Sequence, residues 1–152
     1  MIEPPGRGLF RILGPLEAWD GEEWAQVSAP KWRALLATLL LSPGQPVATG
    51  QLIDELWADN PPARAGNLVS LYVYRLRRLI GDTGGRVLVT RAPGYQIMLL
   101  PGDLDAESFA RLMAAGRAAL AGDDPARAAD LLGAAPASVR LSRAGAQAQR
   151  WP

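Results

Sequence analysis

The chain has 152 residues, of which 49% are hydrophobic and 20% charged, and a net charge of +1, a composition typical of a globular protein with a buried core. It contains no cysteine and no histidine, which excludes disulfides, thiolate or imidazole metal sites and the commonest acid–base catalyst. No apolar run reaches the roughly 20 residues that span a bilayer, and the N-terminus lacks signal-peptide features, so we expect a cytoplasmic protein without a membrane segment.

The first predicted element is a small antiparallel sheet. β-prone residues flank the Asp20–Gly21 pair, which is typical of a hairpin turn. Ser28 and Pro30 then supply helix start signals, and the segment over Lys31–Leu41 is apolar nearly all round. Such a helix is expected at the centre of a small domain.

Two further helices are predicted before residue 82. The second ends at Pro61–Pro62, and because Ala48 stands at the usual capping position, Thr49 is the predicted cap. The third is expected to begin at Pro62 or Ala63, since proline suits a first helical turn, and to run to Ile80. Gly81 is expected to end it.

A second hairpin follows the third helix. Two β-rich runs within residues 86–100 are joined by a tight Ala92–Pro93–Gly94 connection. A sheet, three helices and a hairpin predict an α+β winged helix-turn-helix fold with the C-terminal hairpin as its wing. Residues 103–135 then predict two antiparallel amphipathic helices.

The third helix has a charged side of one sign. On a helical wheel, its apolar residues fall on one side, except for Leu71. Residues 61–100 hold six arginines and a single acid, Asp82, whereas a solvated helix face usually mixes both signs. Arginine and asparagine can bond phosphates and base edges, so this side predicts nucleic-acid binding. Its members are Arg64, Asn67, Ser70, Tyr74, Arg75, Arg77 and Arg78.

Several other conspicuous residues are assigned to structure rather than function. Tyr72 and Trp57 are expected to pack in the core. Gly94 is expected to supply conformational freedom to the hairpin and Tyr95 to pack against it. Asp54 and Glu55 are adjacent on a helix and point in different directions, so they do not form a catalytic pair. We therefore expect no enzymatic activity, no cofactor and no metal.

Five stretches resemble the Streptomyces antibiotic regulatory protein (SARP) family in order and spacing, over roughly residues 8–100. They are "FRILGPLEAWDG", "PKWRALLATLLLSPGQPV", "LIDELWADNPP", "NLVSLYVYRLRRLIGD" and "LVTRAPGYQI". The N-terminal part of that family is an OmpR-type winged helix domain. Residues 103–135 resemble the start of the family's bacterial transcriptional activation domain, a helical array related to tetratricopeptide repeats.

The resemblance implies a sequence-specific DNA-binding activator of secondary-metabolite and antibiotic genes. Such a protein is expected to bind direct repeats in double-stranded promoter DNA, as two protomers side by side, and to recruit RNA polymerase in the cytoplasm, at the nucleoid. Carried over by position, Arg64, Asn67, Ser70, Tyr74 and Arg75 would face the major groove. Phosphate or wing contacts would come from Lys31, Arg77, Arg78 and Arg91.

The sequence also departs from the family. Family members usually carry a long polar residue where Ser70 stands and a small serine where Tyr74 stands, so the preferred operator is expected to differ or binding to be impaired. From about Ala134 onward the resemblance ends, and the tail has little apolar periodicity. The predicted division is therefore a winged helix domain over 1–101, the start of a shortened activation domain over 102–135, and a disordered tail over 136–152.

A second class of function stays open at this point. Winged helices also serve as protein-interaction modules, so the chain could be such a module or an inactive remnant that does not bind DNA. The salt dependence of DNA binding discriminates between the two. If the arginine-rich side of the third helix contacts DNA, the affinity for DNA should fall steeply as the salt concentration rises, and a protein-only module should show no such dependence.

Overall fold

A computed structural model of the chain describes residues 8–133, and within them the elements follow the predicted order of sheet, three helices, hairpin and further helices. The elements are β1 (Phe10–Arg11), β2 (Glu17–Trp19), β3 (Trp24–Gln26), α1 (Pro30–Leu40), β4 (Val47–Ala48), α2 (Thr49–Trp57), α3 (Ala65–Leu79), β5 (Leu88–Arg91), β6 (Gly94–Ile97), α4 (Asp105–Ala121) and a helical segment over 125–133. The first three strands form one sheet in chain order, and a second sheet has the order β4-β6-β5. The predicted α+β winged helix class is confirmed.

Contacts divide the chain into two compact units, one comprising the residues up to Glu17 together with those from Leu100 onward, the other Ala18–Leu99. The three-part division expected from the sequence stays a prediction, and its tail at 136–152 lies outside the described residues. No helix within 8–133 is long and apolar enough to cross a bilayer.

The unit Ala18–Leu99 is built around three mutually packed helices. Apolar residues recur at helical spacing on α1, α2 and α3, so each helix buries one stripe against the other two. The sheet β4-β6-β5 covers part of the same core with antiparallel pairing throughout. Fully or nearly fully buried members of this core are Leu35, Leu36, Leu39, Leu52, Leu56, Val69, Val73, Leu76, Leu88 and Ile97.

Two predicted helix starts are wrong. The third helix begins at Ala65, because the Ala65 N–H donates to the Pro62 carbonyl (3.1 Å) in a turn and Arg64 is non-helical (φ −112°, ψ 39°). Thr49 is not a cap but the first residue of α2. Its hydroxyl and its N–H both bond the carbonyl of Pro93 (3.1 and 3.2 Å), which attaches the start of α2 to the hairpin β5–β6, called the wing below.

Gly94 is required for close approach rather than for conformational freedom, which corrects the sequence interpretation. Its φ lies outside the left-handed region, and Gly94 pairs with Ala48 across β4–β6. A Cβ at this position would lie 2.8 Å from Ala48 Cα and 2.8 Å from Thr49 N, closer than real Cβ atoms approach. Only glycine therefore lets β6 lie against β4.

A buried carboxylate shapes the turn between α3 and the wing. Asp82 is 8% exposed, and its Oδ1 accepts the N–H of Arg86 (2.7 Å). Its Oδ2 accepts the N–H groups of Val87 (3.1 Å) and Leu88 (2.8 Å). The turn follows Gly81, whose φ of +67° ends α3 as predicted.

Asp82→Asn is expected to lower the free energy of unfolding by about 1–3 kcal/mol, because an amide cannot accept all three N–H groups and places its own donors in a buried site. Urea unfolding followed by circular dichroism would measure the change. Asp54→Asn, at an exposed position on α2, is the matched control and should leave stability within about 0.5 kcal/mol. Equal stability of both variants would contradict this account of the turn.

The backbone of residues 9–13 is hydrogen-bonded to the start of α4 and the residues just before it. Leu9 and Phe10 donate their N–H groups to the Asp103 carbonyl (2.8 Å each). Ile12 and Leu13 donate theirs to the carboxylate of Asp105 (2.9 and 3.2 Å) at the start of α4.

The predicted helical hairpin is confirmed within the described residues. Helix α4 ends at Gly122, and the chain turns through Asp123 (φ +59°) before the helical segment over 125–133. The two helices approach so closely at Gly116 that a Cβ there would lie 2.5 Å from Leu132 Cδ2.

Candidate nucleic-acid interface

The exposed side of α3 carries most of the residues predicted from the wheel. The helix turns Val69, Val73 and Leu76 into the core, so the opposite side faces solvent. Leu71, the one residue that did not fit the wheel, is 42% exposed on that side. The predicted site residues that the structure brings together there are Asn67, Ser70, Tyr74, Arg75 and Arg78, all exposed.

Within residues 8–133, no carboxylate forms an ion pair with the arginines of this surface. The single acid among residues 61–100, Asp82, is buried and engaged with backbone N–H groups. Between residues 8 and 133 the one ion pair within 4.0 Å joins Arg11 and Glu17, far along the chain from α3. The arginines around α3 therefore project a positive field, as a site for a polyanion requires.

Arg64 and Arg91 flank the helix rather than lie on it. Arg64 is the exposed residue just before α3, outside the helical conformation that the sequence predicted for it. Arg91 ends β5 opposite Gly94, exposed at the tip of the wing.

Arg78 and Tyr74 form a pair one turn apart. The Arg78 guanidinium carbon lies 6.0 Å from the centre of the Tyr74 ring, and its Nη1 is 3.4 Å from the Tyr74 hydroxyl. Tyr74 remains 51% exposed. The ring restricts the arginine, while the remaining guanidinium donors are available to a ligand.

Arg77 is half-buried and connects α3 to the wing. Its Nε donates to the Leu88 carbonyl (2.8 Å), and its Nη2 donates to the Thr90 hydroxyl (3.0 Å). The predicted phosphate contact of Arg77 stays a prediction, but the structure gives this residue a second role that the wheel did not reveal. It fixes the wing beside the exposed side of α3.

Arg77→Ala is expected to lower the free energy of unfolding by about 1–2 kcal/mol, because it removes two hydrogen bonds from a charged donor. Arg78→Ala removes the same charge from an exposed position and should leave stability within about 0.5 kcal/mol. Thermal or urea unfolding of the two variants would test the assignment, and a larger loss for Arg78→Ala would reverse it.

Lys31 is also engaged within the protein. Its Nζ donates to the Leu56 carbonyl at the end of α2 and lies 5.4 Å from the centre of the Trp57 ring. That ring packs on Tyr72 at a centroid distance of 6.1 Å, consistent with the packing role expected for both aromatic residues. An ammonium group has three N–H donors. One is engaged with the Leu56 carbonyl, so at most two remain for the phosphate contact expected for Lys31.

Tyr95, which the sequence assigned to packing, is half-buried and also reaches the exposed side of α3. Its hydroxyl lies 3.1 Å from Ser70 Oγ on the exposed side of α3. Tyr95 pairs with Thr90 across the wing, so the two side chains share the wing face that meets α3. Because side chains alternate along a strand, the sequence of β6 predicts that Tyr95 and Ile97 share one face. Which element that face contacts follows only from the strand register.

Similarity to known proteins agrees with this geometry. Residues 27–97 match the family described as transcriptional regulatory protein, C terminal. The regulatory protein AfsR of Streptomyces coelicolor is 40% identical over 131 residues. The transcriptional regulator RedD of the same species is 33% identical over 128 residues. Residues 27–97 belong to that family of regulatory domains, and the relatives are SARP regulators.

The chain corresponds to only part of each of these relatives. The match to AfsR covers 86% of this chain and 13% of AfsR, and the match to RedD covers 81% and 36%. A structure of Mycobacterium tuberculosis EmbR in complex with a low-affinity phosphopeptide aligns with a TM-score of 0.78 and 31% identity, over 89% of this chain and 38% of EmbR. The similarity therefore extends beyond the winged helix into α4 and the segment that follows.

Proposed function

We propose that this chain binds double-stranded DNA at specific sequences and regulates transcription. The observation that carries the proposal is the exposed side of α3, where arginine, asparagine and hydroxyl side chains lie beside the wing. In the part of the chain that the structure describes, none of these arginines is in an ion pair with a carboxylate. A recognition helix of this kind fits the major groove, whose width admits one α-helix.

Charge and position divide the site residues into two roles. Arg75 and Asn67 carry planar groups that can make bidentate bonds to guanine and adenine edges, which would set sequence choice. Phosphate or minor-groove contacts, which would supply affinity, would come from three exposed arginines: Arg78 in the last turn of α3, Arg64 before its first turn and Arg91 at the wing tip.

We further propose that the chain acts as an activator of secondary-metabolite genes in the cytoplasm, at the nucleoid. Two protomers would bind tandem direct repeats side by side and recruit RNA polymerase. Support comes from the SARP relatives, which are regulators, and from the helical hairpin of α4 and residues 125–133, which resembles the start of the family's activation domain.

The test is a selection from fragmented genomic DNA with the purified full chain, read out by sequencing. Enrichment of tandem repeats with a fixed spacing is expected, and run-off transcription from an enriched promoter should rise when the chain is added with RNA polymerase. Enrichment without activation would limit the function to DNA binding. No enrichment of any sequence would overturn the proposal.

A further inference from the structure

The hydroxyl groups of Ser70 and Tyr95 have an assignable hydrogen-bond direction. Ser70 Oγ lies 3.2 Å from the carbonyl oxygen of Gly66, one helical turn earlier, and 3.1 Å from Tyr95 Oη. A carbonyl oxygen has no proton, so this contact is favourable only if Ser70 donates to it. Serine has one hydroxyl proton, and Gly66 receives it. Tyr95 must therefore donate its own proton to Ser70.

This assignment leaves the pair without a free donor. Both hydroxyl protons are used inside the protein, while Ser70 Oγ and Tyr95 Oη retain lone pairs. Ser70 is exposed on the side of α3 that carries Asn67 and Arg75, so these lone pairs are available to an approaching ligand. The pair can accept a hydrogen bond there but cannot give one.

We propose that the Ser70–Tyr95 hydroxyl pair is a specificity element that accepts a hydrogen bond from a base amino group, adenine N6 or cytosine N4, in the major groove. The inference rests on the proposed DNA binding and names what one part of that surface reads. Adenine and cytosine present amino donors in the groove, whereas guanine and thymine present only O6, N7 or O4 acceptors there. An acceptor-only pair would repel those acceptors, and it would repel phosphate oxygens for the same reason.

The pair therefore complements the charged residues beside it. Arg75 and Asn67 carry donors, and an arginine at a base edge prefers the two acceptors of guanine. A DNA site with guanine opposite Arg75 and adenine or cytosine opposite Ser70 would pair the donors of Arg75 and the acceptors of the hydroxyl pair at the same time. Tyr95 is a positioning residue in this account, because its bond to one lone pair of Ser70 holds the hydroxyl in place while Gly66 takes the Ser70 proton.

The experiment compares binding-site selections from a random duplex library for the full-length wild type, Tyr95→Phe, Ser70→Ala and Tyr72→Phe. Tyr95→Phe keeps the ring but removes the Oη lone pairs and the proton given to Ser70, so the pair loses one of its two acceptor atoms and Ser70 loses the partner that holds it. We expect a preference for adenine or cytosine at one position of each half-site in the wild type. Tyr95→Phe and Ser70→Ala should reduce it about fivefold, the equivalent of one neutral contact, with other positions unchanged.

Tyr72→Phe is the matched control, because Tyr72 packs on Trp57 on the other side of α3 and should give the wild-type profile. A Tyr95→Phe profile identical to the wild type, or uniformly weakened at every position, would overturn the inference while leaving DNA binding in place. A wild-type protein that selects no sequence would overturn the proposed function and this inference together.

Discussion

Replacing Arg75 and Arg78 together by alanine is expected to weaken binding to the selected DNA site by about 100-fold at near-physiological salt. Arg75 at a base edge would contribute about 1–3 kcal/mol, and Arg78 would add one phosphate contact. Their sum is close to the 2.7 kcal/mol that corresponds to two decades in the dissociation constant. Both side chains are exposed and neither is in an ion pair within the described part of the chain, so the fold should survive their loss.

The single variants should separate the two roles. Arg75→Ala should relax sequence choice at one position of the half-site, whereas Arg78→Ala should weaken all sequences alike and reduce the salt slope by about one. Gel-shift titrations on the selected site and on scrambled DNA would measure both effects. A matched control is Arg111→Ala with Arg117→Ala, which removes the same charge from exposed positions of α4. If the control double variant lost as much affinity, net charge rather than the α3 surface would account for binding.

Gly94→Ala is expected to have the largest effect on stability, about 3 kcal/mol or more. The added methyl would meet backbone atoms of β4 and α2, namely Ala48 Cα and Thr49 N at 2.8 Å, and backbone cannot swing aside as a side chain can. Relief requires β6 to separate from β4, which also breaks the bonds between Thr49 and the Pro93 carbonyl. A lower midpoint in urea unfolding, with an unchanged slope, would be the signature of this loss.

Gly50→Ala supplies the contrast for this prediction. Gly50 lies in α2 with nothing within 4 Å of its would-be Cβ, so alanine should stabilise the helix by about 0.5–1 kcal/mol. If alanine destabilises the protein at Gly94 and stabilises it at Gly50, the close approach of β4 to β6 is the reason that position 94 requires glycine. A neutral Gly94→Ala variant would mean that the wing moves freely against β4.

Local signals in the sequence were sufficient for the elements and for the exposed side of α3. Period-3.6 spacing of apolar residues separated Val69, Val73 and Leu76 from the arginines, and that separation depends only on neighbours along the helix. The hairpin at Ala92–Pro93 was equally local, since its turn residues are contiguous.

The start of α3 was missed for a local reason, the turn from Pro62 to Ala65, whereas the other errors and omissions involve contacts between distant segments. Thr49 failed as a cap because the carbonyl of Pro93, 44 residues later, takes its hydroxyl. Gly94 owes its identity to the strand register with Ala48, and Arg77 owes its orientation to β5. The contact of Tyr95 with Ser70 exists because the wing is folded against α3. Strand register and contacts between distant segments cannot be predicted from the local spacing of residues.

The most direct test of the central claim is a salt titration of wild-type binding to the selected site. The logarithm of the association constant should fall linearly with the logarithm of salt concentration, with a slope of about −0.9 for each phosphate contacted. In each protomer, Arg64, Arg78 and Arg91 together with the predicted contact of Arg77 would make four contacts, which gives a slope of about −3.6 for each protomer bound. A slope near zero, or no binding at low salt, would mean that the exposed side of α3 serves a partner other than DNA.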